Sequence, residues 1–212
     1  MNFLELINKC LLELNYKQVN AISELVKNDH KRIMSILNVI NKEICNVEPW
    51  NFLIRKTTLA LPKGKTEIDN PVSGRIWYLI ISGEKYKYSP DVESFLTEKN
   101  KDHFYSAYND KLLLPKFDED KTIEVVYYTS NCVKTPDGEE TNDFKNATDC
   151  SLIPMPFVEQ LLVYGTCLRL KANPKYIKFS YWLSMYKEAL LNLKSKSNIY
   201  IFDSPVVRLY RR

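Results

Sequence analysis

The chain has 212 residues, 45% of them hydrophobic and 26% charged, and these proportions exclude a disordered or collagen-like protein. Its formal net charge of +4 arises from 30 basic and 26 acidic side chains scattered along the sequence, so charge alone indicates no nucleic-acid surface. No apolar stretch is long enough to span a membrane, and the opening MNFLELINKC places an acidic residue ahead of its first basic one, unlike a signal peptide. We therefore expect a soluble protein that is neither secreted nor bound to a membrane.

Two amphipathic helices are predicted before residue 50. The first carries apolar residues on one face at helical spacing, namely Phe3, Leu6 or Ile7, Cys10 or Leu11, and Leu14. The second is predicted over residues 24–46, with Ser23 as its N-cap, and repeats its apolar side chains at Ile33, Leu37, Ile40 and Ile44. Because Ile22 and Val26 continue the same phase, this helix could also begin nearer Val19.

From Trp50 onward the apolar residues alternate, as they do in β-strands. Strands are predicted over residues 53–61, 104–108, 111–114 and 122–129, and a hairpin over 75–82 and 85–88 with its turn at Gly83-Glu84. The tripeptide Ser89-Pro90-Asp91 is typical of the cap of a short helix. Together these elements predict a small antiparallel sheet.

The segment 134–149, KTPDGEETNDFKNATD, is expected to be a solvated loop, because it holds five acidic and two basic residues and a Pro-Asp-Gly turn signature. Two antiparallel helices are predicted after it, around 157–168 and 181–193, joined across Asn173-Pro174. Residues 197–212 contain Pro205 and are too few for another packed element. They are expected to form an extended arm.

The order of these elements predicts an α+β fold. Neither pair of terminal helices hides its apolar stripe alone, so residues 1–49 and 151–196 are expected to form one antiparallel helical bundle. Residues 50–150 then form an inserted, small antiparallel β-sheet domain that carries the acidic loop 134–149. Residues 197–212 follow as the C-terminal arm.

The sequence offers no recognisable catalytic, cofactor-binding or metal-binding motif. Its five glycines never occur at the spacing of a phosphate-binding loop. Neither His30 nor His103 has a cysteine or carboxylate at a metal-binding interval, so both are expected on the surface. The run 118–120 (DED) is interpreted as a turn, and no serine or cysteine lies in a motif that would activate it as a nucleophile. The five cysteines are widely spaced, and three of them, Cys10, Cys45 and Cys167, are predicted to be buried free thiols.

Aromatic residues give two candidate interaction surfaces. The alternating tyrosines of the predicted strands should place about half their rings on the outer face of the sheet, where they could stack on bases or pack on another subunit; they are Tyr78, Tyr86, Tyr88, Tyr127 and Tyr128. The arm is expected to dock on another chain, because an apolar and arginine-rich tail is otherwise hard to keep in solution. Its candidate docking residues are Tyr200, Phe202, Val206, Arg208, Leu209, Tyr210, Arg211 and Arg212.

Three stretches, in this order, carry a resemblance to a known family. They are EPWNF at 48–52 between helix and strand, LALP at 59–62 followed by TEI at 66–68, and SLIPMPF at 151–157 followed by LLVYGTCLRL at 161–170. With the helix, sheet, helix order, they resemble the head-to-tail connector, or adaptor, proteins of short-tailed bacteriophages, the tail tubular protein A-like family. The resemblance covers nearly the whole chain.

This resemblance implies a structural virion protein without catalytic residues or cofactors. It would be assembled in the bacterial host cytoplasm and form a closed ring of roughly twelve copies at the head-tail interface. Its partners would be further copies of itself, the portal protein above and a tail or ring protein below. Genomic DNA would pass through the lumen without specific binding, and an acidic lumen, to which 134–149 could contribute, would let it slide.

Two other interpretations stay open from the sequence. One is a single-stranded nucleic-acid binding module that uses exposed sheet tyrosines together with Arg75, Lys85 and Lys87. The other is a small enzyme of a type that its motifs do not reveal, for which a pocket with perturbed titratable groups would be the sign.

Overall fold

The computed structural model describes residues 1–97 and 102–198. The helices are α1 (Phe3–Glu13), α2 (Asn28–Val47), α3 (Val92–Leu96), α4 (Met155–Val158), α5 (Gly165–Leu170) and α6 (Phe179–Asn198). The strands are β1 (Ile54–Leu61), β2 (Glu67–Asp69), β3 (Gly74–Ile81), β4 (Glu84–Tyr88), β5 (Phe104–Tyr108), β6 (Lys111–Leu113), β7 (Lys121–Thr129), β8 (Val133–Lys134), β9 (Glu140–Thr141) and β10 (Cys150–Ser151). The predicted mixture of helices and strands is confirmed.

The chain divides into two units, a helical unit formed by two separate parts of the sequence and a sheet unit formed by one continuous part. The helical unit comprises Met1–Phe52 and the described chain from Cys132 onward, and the sheet unit comprises Leu53–Asn131. The sheet unit therefore ends at residue 131, whereas the sequence predicted an inserted segment reaching residue 150. Of the predicted arm, only Ser197 and Asn198 belong to the described residues, where they end α6.

Helix α1 begins where its sequence predicts. Its first turn is closed by a capping box, in which the Glu5 amide donates to the Asn2 side chain at 2.9 Å and the Asn2 amide donates to the Glu5 carboxylate at 2.8 Å. The predicted apolar face is confirmed, because its side chains are all buried in the helical unit: Phe3, Leu6, Ile7, Cys10, Leu11 and Leu14.

Helix α2 begins at Asn28, four residues later than the sequence predicted from Ser23. Ser23 lies inside a single 3₁₀ turn, Ile22–Glu24, which ends at Leu25 with ψ of 58°, outside the helical range. Leu25 is buried by this change of direction, and Val26 is left 72% exposed. Ile22 and Val26 therefore share the apolar spacing of α2 by coincidence, since both lie outside it.

The C-terminal helices pack closely around one glycine. Residues 155–170 are helical throughout and include a π-helical segment, Glu159–Tyr164, between α4 and α5. A β-carbon placed on Gly165 would lie 3.1 Å from the Tyr186 ring and 3.3 Å from the Ile40 side chain. The absence of a side chain at this position allows α2, α5 and α6 to approach one another.

The acidic segment is largely exposed, as predicted, but it also contains short strands and two buried residues. Residues 132–151 belong to the helical unit and form a three-stranded sheet in the order β10-β8-β9. Phe144 is buried and its ring stacks on Phe3 at 4.7 Å, while the buried Asp149 carboxylate accepts the Lys145 and Asn146 amides at 2.7 Å each. The sequence did not predict these contacts, because one aromatic ring and one buried carboxylate are enough to fix a segment that is otherwise poor in apolar residues.

A buried asparagine joins this small sheet to α2. The Asn41 side chain is fully buried, donates to the Cys132 carbonyl at 3.0 Å and accepts the Ser151 hydroxyl at 2.6 Å. A buried amide is tolerated when its donor and its acceptor are both satisfied. Asn41 therefore connects the N-terminal helices to β8 and β10.

The sheet unit is one curled seven-stranded sheet in the order β1-β7-β3-β4-β5-β6-β2. Every pair is antiparallel except β4–β5, which is parallel and corrects the prediction of a purely antiparallel sheet. A parallel pair requires a crossover, and α3 lies in the connection between these two strands. The β3–β4 hairpin turns at Ser82 and Gly83, whose φ angles of 54° and 84° are those of a type I′ turn.

The inner face of the curled sheet buries the hydrophobic core of this unit. Ten buried side chains, nine from the seven strands and one from the residue after β6, form the core: Leu61, Ile68, Leu79, Ile81, Tyr86, Tyr105, Leu112, Leu114, Ile123 and Val125. Because side chains alternate along a strand, the neighbours of these residues face outward. On β3 and β7, the residues next to these core residues therefore lie on the outer face of the sheet.

Burial of Tyr105 makes the stability of the sheet unit sensitive to high pH. Removal from solvent raises the pKa of this phenol from 10.0 to about 12. Because the folded protein holds this proton more tightly than the unfolded chain does, the associated stability is complete below pH 10 and is lost as the pH rises through 12. Denaturant unfolding between pH 9 and about 12 should show this loss in the wild type.

The matched variant is Tyr105→Phe, which keeps the ring and removes the titrating group. Its stability relative to the wild type should rise over this alkaline interval, with the two proteins differing by a constant amount below pH 10. A constant difference at every pH would show that Tyr105 does not titrate differently in the folded protein.

Candidate functional site

A β-bulge on β3 brings two adjacent aromatic side chains to one face of the sheet. The β3–β7 register shifts between Ile76, opposite Tyr127, and Tyr78, opposite Val126, so Trp77 is the extra residue. Leu79 and Ile81 point into the core, which places Tyr78 on the outer face. The bulge turns Trp77 to the same side, and its ring meets that of Tyr78 edge-on at 5.0 Å.

Two further side chains complete a cluster that we call the aromatic patch: Trp77, Tyr78, Lys85 and Tyr128. The Trp77 and Tyr128 rings lie 5.6 Å apart, and the Lys85 ammonium lies 4.2 Å from the Tyr78 ring and 5.6 Å from the Trp77 ring. Trp77 is 46% exposed. The patch therefore combines an accessible indole with a cation held against aromatic faces.

The aromatic patch combines uncharged aromatic side chains with the positive charge of Lys85. Burial raises the pKa of the Tyr128 phenol, and the nearby Arg75 opposes that rise. The hydroxyl therefore keeps its proton at neutral pH and can donate a hydrogen bond. Such a surface suits either flat, electron-rich ligands or the apolar side chains of a protein partner.

The predicted tyrosines divide as the strand alternation requires. Tyr86 is buried in the core and Tyr127 packs against it, whereas Tyr78 and Tyr128 lie on the outer face. Tyr88, at the end of β4, is exposed. The sequence did not predict Trp77 as part of the patch. Strict alternation would place Trp77 and Tyr78 on different faces of the sheet, and only the bulge brings their side chains to the same face.

The two histidines differ in their surroundings. His103 is exposed, with its Nδ1 atom 3.5 Å from the Glu84 carboxylate. His30 is buried, so the prediction of a surface position is wrong for it. The reason is its spacing of three and seven residues from Ile33 and Leu37 on the buried face of α2. Within the described chain, the His30 Nδ1 atom has no hydrogen-bond partner.

Four of the five cysteines form two buried pairs, and all five are free thiols. The Cys10 side chain contacts that of Cys167, and Cys45 contacts Cys132. Burial raises the pKa of the Cys10 thiol, and the hydrogen bond to Cys132 together with burial raises that of Cys45. The predicted burial of Cys10, Cys45 and Cys167 is confirmed.

The acidic turn before β7 lines a shallow polar groove of about 420 Å³ next to the β3–β4 turn. Asp120 accepts the Lys63 amide at 2.7 Å, and Glu119 pairs with Lys121. In residues 1–97 and 102–198, no three histidine, cysteine or acidic side chains are grouped as metal ligands would be. In the same residues, no helix combines the length and the apolar character needed to cross a membrane.

The docking residues predicted in the arm, from Tyr200 to Arg212, all lie outside the described residues. No model of a known protein family and no curated protein matches this chain.

Proposed function

We propose that this chain is a head-to-tail connector of a short-tailed bacteriophage, a structural protein that forms a ring of roughly twelve copies below the portal. The single observation that supports this proposal is the plan of the chain, in which both ends contribute to one helical unit and the middle forms a separate sheet unit. This is the plan that the resemblance implies. The ring would extend the DNA channel and carry the tail.

Contacts between the two ends of the chain support a single helical bundle. The Lys9 ammonium lies 2.9 Å from the Glu159 carboxylate, and Arg169 pairs with Glu43. The Trp182 indole donates to the Glu13 carboxylate at 2.9 Å. Each of these bonds joins an N-terminal helix to a C-terminal one, as an antiparallel bundle with an inserted sheet requires.

Several large apolar side chains on the helical unit remain exposed. Ile177, between α5 and α6, is 89% exposed, and Leu12 and Leu191 are exposed on α1 and α6. Isolated exposed apolar residues are common, but subunits of a ring must offer apolar area to their neighbours. We propose that part of this surface is covered when the ring closes.

Native mass spectrometry over a wide concentration range tests the proposal. The expected result is a closed species of roughly twelve subunits, with few species between it and the monomer, because a ring gains its last contacts only on closure. Electron microscopy of that species should show a central channel. A chain that stays monomeric at every concentration would contradict self-assembly into a ring.

The aromatic patch favours a second candidate, a module that binds single-stranded nucleic acid. Exposed aromatic rings beside cationic side chains are the usual platform for stacked bases. Trp77 and Tyr128 would supply the rings, and Lys85 and Arg75 the charges near the phosphates. This candidate does not require a ring.

Fluorescence anisotropy with a labelled oligonucleotide separates the two candidates. For a nucleic-acid module, Trp77→Ala or Tyr128→Ala should weaken binding by roughly 5- to 150-fold, since each stacked base contributes about 1–3 kcal/mol. The affinity should also fall steeply with salt. Tyr108→Ala, which removes an exposed ring from β5, is the matched control and should bind normally. If the chain is a connector, we expect that none of these substitutions changes its binding to the oligonucleotide.

A further inference from the structure

The two edges of the seven-stranded sheet differ in length and regularity. One edge is β2, which has three residues. The other is β1, which has eight residues and pairs with β7 along its whole length without a bulge, from Ile54 opposite Tyr128 to Leu61 opposite Lys121. Among the described residues, β1 has no strand on its other side.

A long unpaired edge is unusual because it offers a row of free backbone donors and acceptors to other strands. Proteins commonly protect such edges with short strands, prolines, bulges or outward-pointing lysines. Strand β1 has no internal proline or bulge, and its lysine, Lys56, pairs across the sheet with Glu124 on β7 at 2.7 Å. The Arg55 guanidinium donates to the Ile54 carbonyl at 2.8 Å. Beyond that residue, no strand of the described chain covers the edge, which could therefore accept an added strand.

The two faces of β1 define the side-chain pattern that an added strand needs. Leu59 and Leu61 lie on the core side, and Leu59 is only partly buried. Lys56 and Thr58 lie on the outer side and are exposed. A complementary strand should therefore alternate between aliphatic side chains on one face and polar or amphipathic side chains on the other.

The fourteen residues that follow Asn198 contain such a segment. If Val206-Val207-Arg208-Leu209-Tyr210 formed a strand, Val207 and Leu209 would lie on one face, and Val206, Arg208 and Tyr210 on the other. β-Branched and aromatic residues dominate the segment, as in natural strands. Placed beside β1, the aliphatic face would cover Leu59, and the face with Arg208 would lie on the side of Glu124.

We propose that the edge of β1 binds residues 206–210 of a second copy of this chain as an eighth strand of the sheet. This inference rests on the proposed ring, since it names the surface through which one subunit holds the next. A segment that binds a different surface of its neighbour makes a head-to-tail contact, and such contacts generate rings. Backbone hydrogen bonds would provide affinity, and the alternating side chains would fix the register.

Amide hydrogen exchange on the full chain, below and above the concentration at which it assembles, tests the proposal. Assembly should slow exchange of the outward-facing amides of β1 by roughly tenfold or more, and leave those of β2 unchanged. Val207→Pro removes a backbone donor from the arm segment and should abolish this protection. Arg212→Pro, outside the segment, is the matched control and should keep it.

Disulfide trapping between two variants identifies the occupant of the edge. Full chains carrying Thr58→Cys and Val206→Cys, which the proposal places on the same face of the sheet, are mixed, oxidised and mapped without reduction. A bond between positions 58 and 206 is expected between different chains. Glu67→Cys on β2 replaces Thr58→Cys in the control and should give no such bond. A bond between two copies of position 58 would mean that β1 pairs with itself, and would overturn the proposal.

The outcomes separate this inference from the proposed function. A ring whose β1 amides exchange as in the monomer overturns the inference and leaves the connector intact. A chain that is monomeric at every concentration overturns both. A ring with protected β1 amides that lose protection in Val207→Pro supports both.

Discussion

Replacing Gly74 with alanine is expected to destabilise the sheet unit by more than about 4 kcal/mol. A loss of this size is a large part of the total free energy of unfolding of a small domain. Gly74 begins β3 with a φ of 150°, and a β-carbon at this position would lie 2.1 Å from the Tyr128 carbonyl oxygen. The overlap is with backbone, which cannot rotate away as a flexible side chain could. Pairing of β3 with β7 should therefore be lost, and with it the central strands of the sheet.

Amide exchange resolved by unit is the measurement for Gly74→Ala. Strands β3 and β7 should lose protection, and α1 and α6 serve as an internal reference. Gly138→Ala is the matched control, because Gly138 also has a positive φ of 89° but has open space where a β-carbon would lie. Its cost should be limited to about 1–2 kcal/mol of backbone strain. Equal effects of the two substitutions would show that the overlap at Gly74 is relieved by a small shift.

Replacing Trp182 with alanine is expected to destabilise the helical unit by about 3–5 kcal/mol. The Trp182 side chain is fully buried, stacks on Tyr176 at 5.3 Å and donates its indole N–H to Glu13. Its loss would leave a large cavity and remove one of the bonds between α1 and α6. Urea unfolding, followed by far-ultraviolet circular dichroism, measures the loss.

The neighbouring residue provides the control for Trp182→Ala. Tyr181 belongs to the same turn of α6 but is 51% exposed, so Tyr181→Ala should cost less than about 1 kcal/mol. Trp182→Phe should lie between the two, because it keeps most of the volume, and Glu13 retains its bond from Lys178. A small effect of Trp182→Ala would mean that the C-terminal helices are not needed to hold α1.

Periodicity predicted most helices and strands because it reports which face of an element is buried. The apolar faces of α1 and α6 and the alternation in β3 and β7 follow directly from burial. What periodicity could not report is contact between distant segments. The parallel β4–β5 pair and the stacking of Phe144 on Phe3 depend on such contacts.

The candidate site was predicted only in part, for a related reason. Tyr78 and Tyr128 were placed by alternation, but the aromatic patch is centred on Trp77, and a bulge is decided by the register of two strands. His30 was misplaced because its neighbours in sequence are charged, although its neighbours along the helix are apolar. In both cases local composition was a poorer guide than the position of the residue on its element.

The discontinuous helical unit has a consequence for the order of events during translation. The Asp149 carbonyl accepts the Phe3 amide at 2.8 Å, so α1 cannot make this contact until the ribosome has made the chain as far as Asp149. At roughly 5–20 residues per second, the wait is on the order of ten seconds. The sheet unit emerges whole in that interval. While the sheet unit is being made, nascent α1 and α2 therefore lack the C-terminal segments that cover their apolar faces in the folded chain.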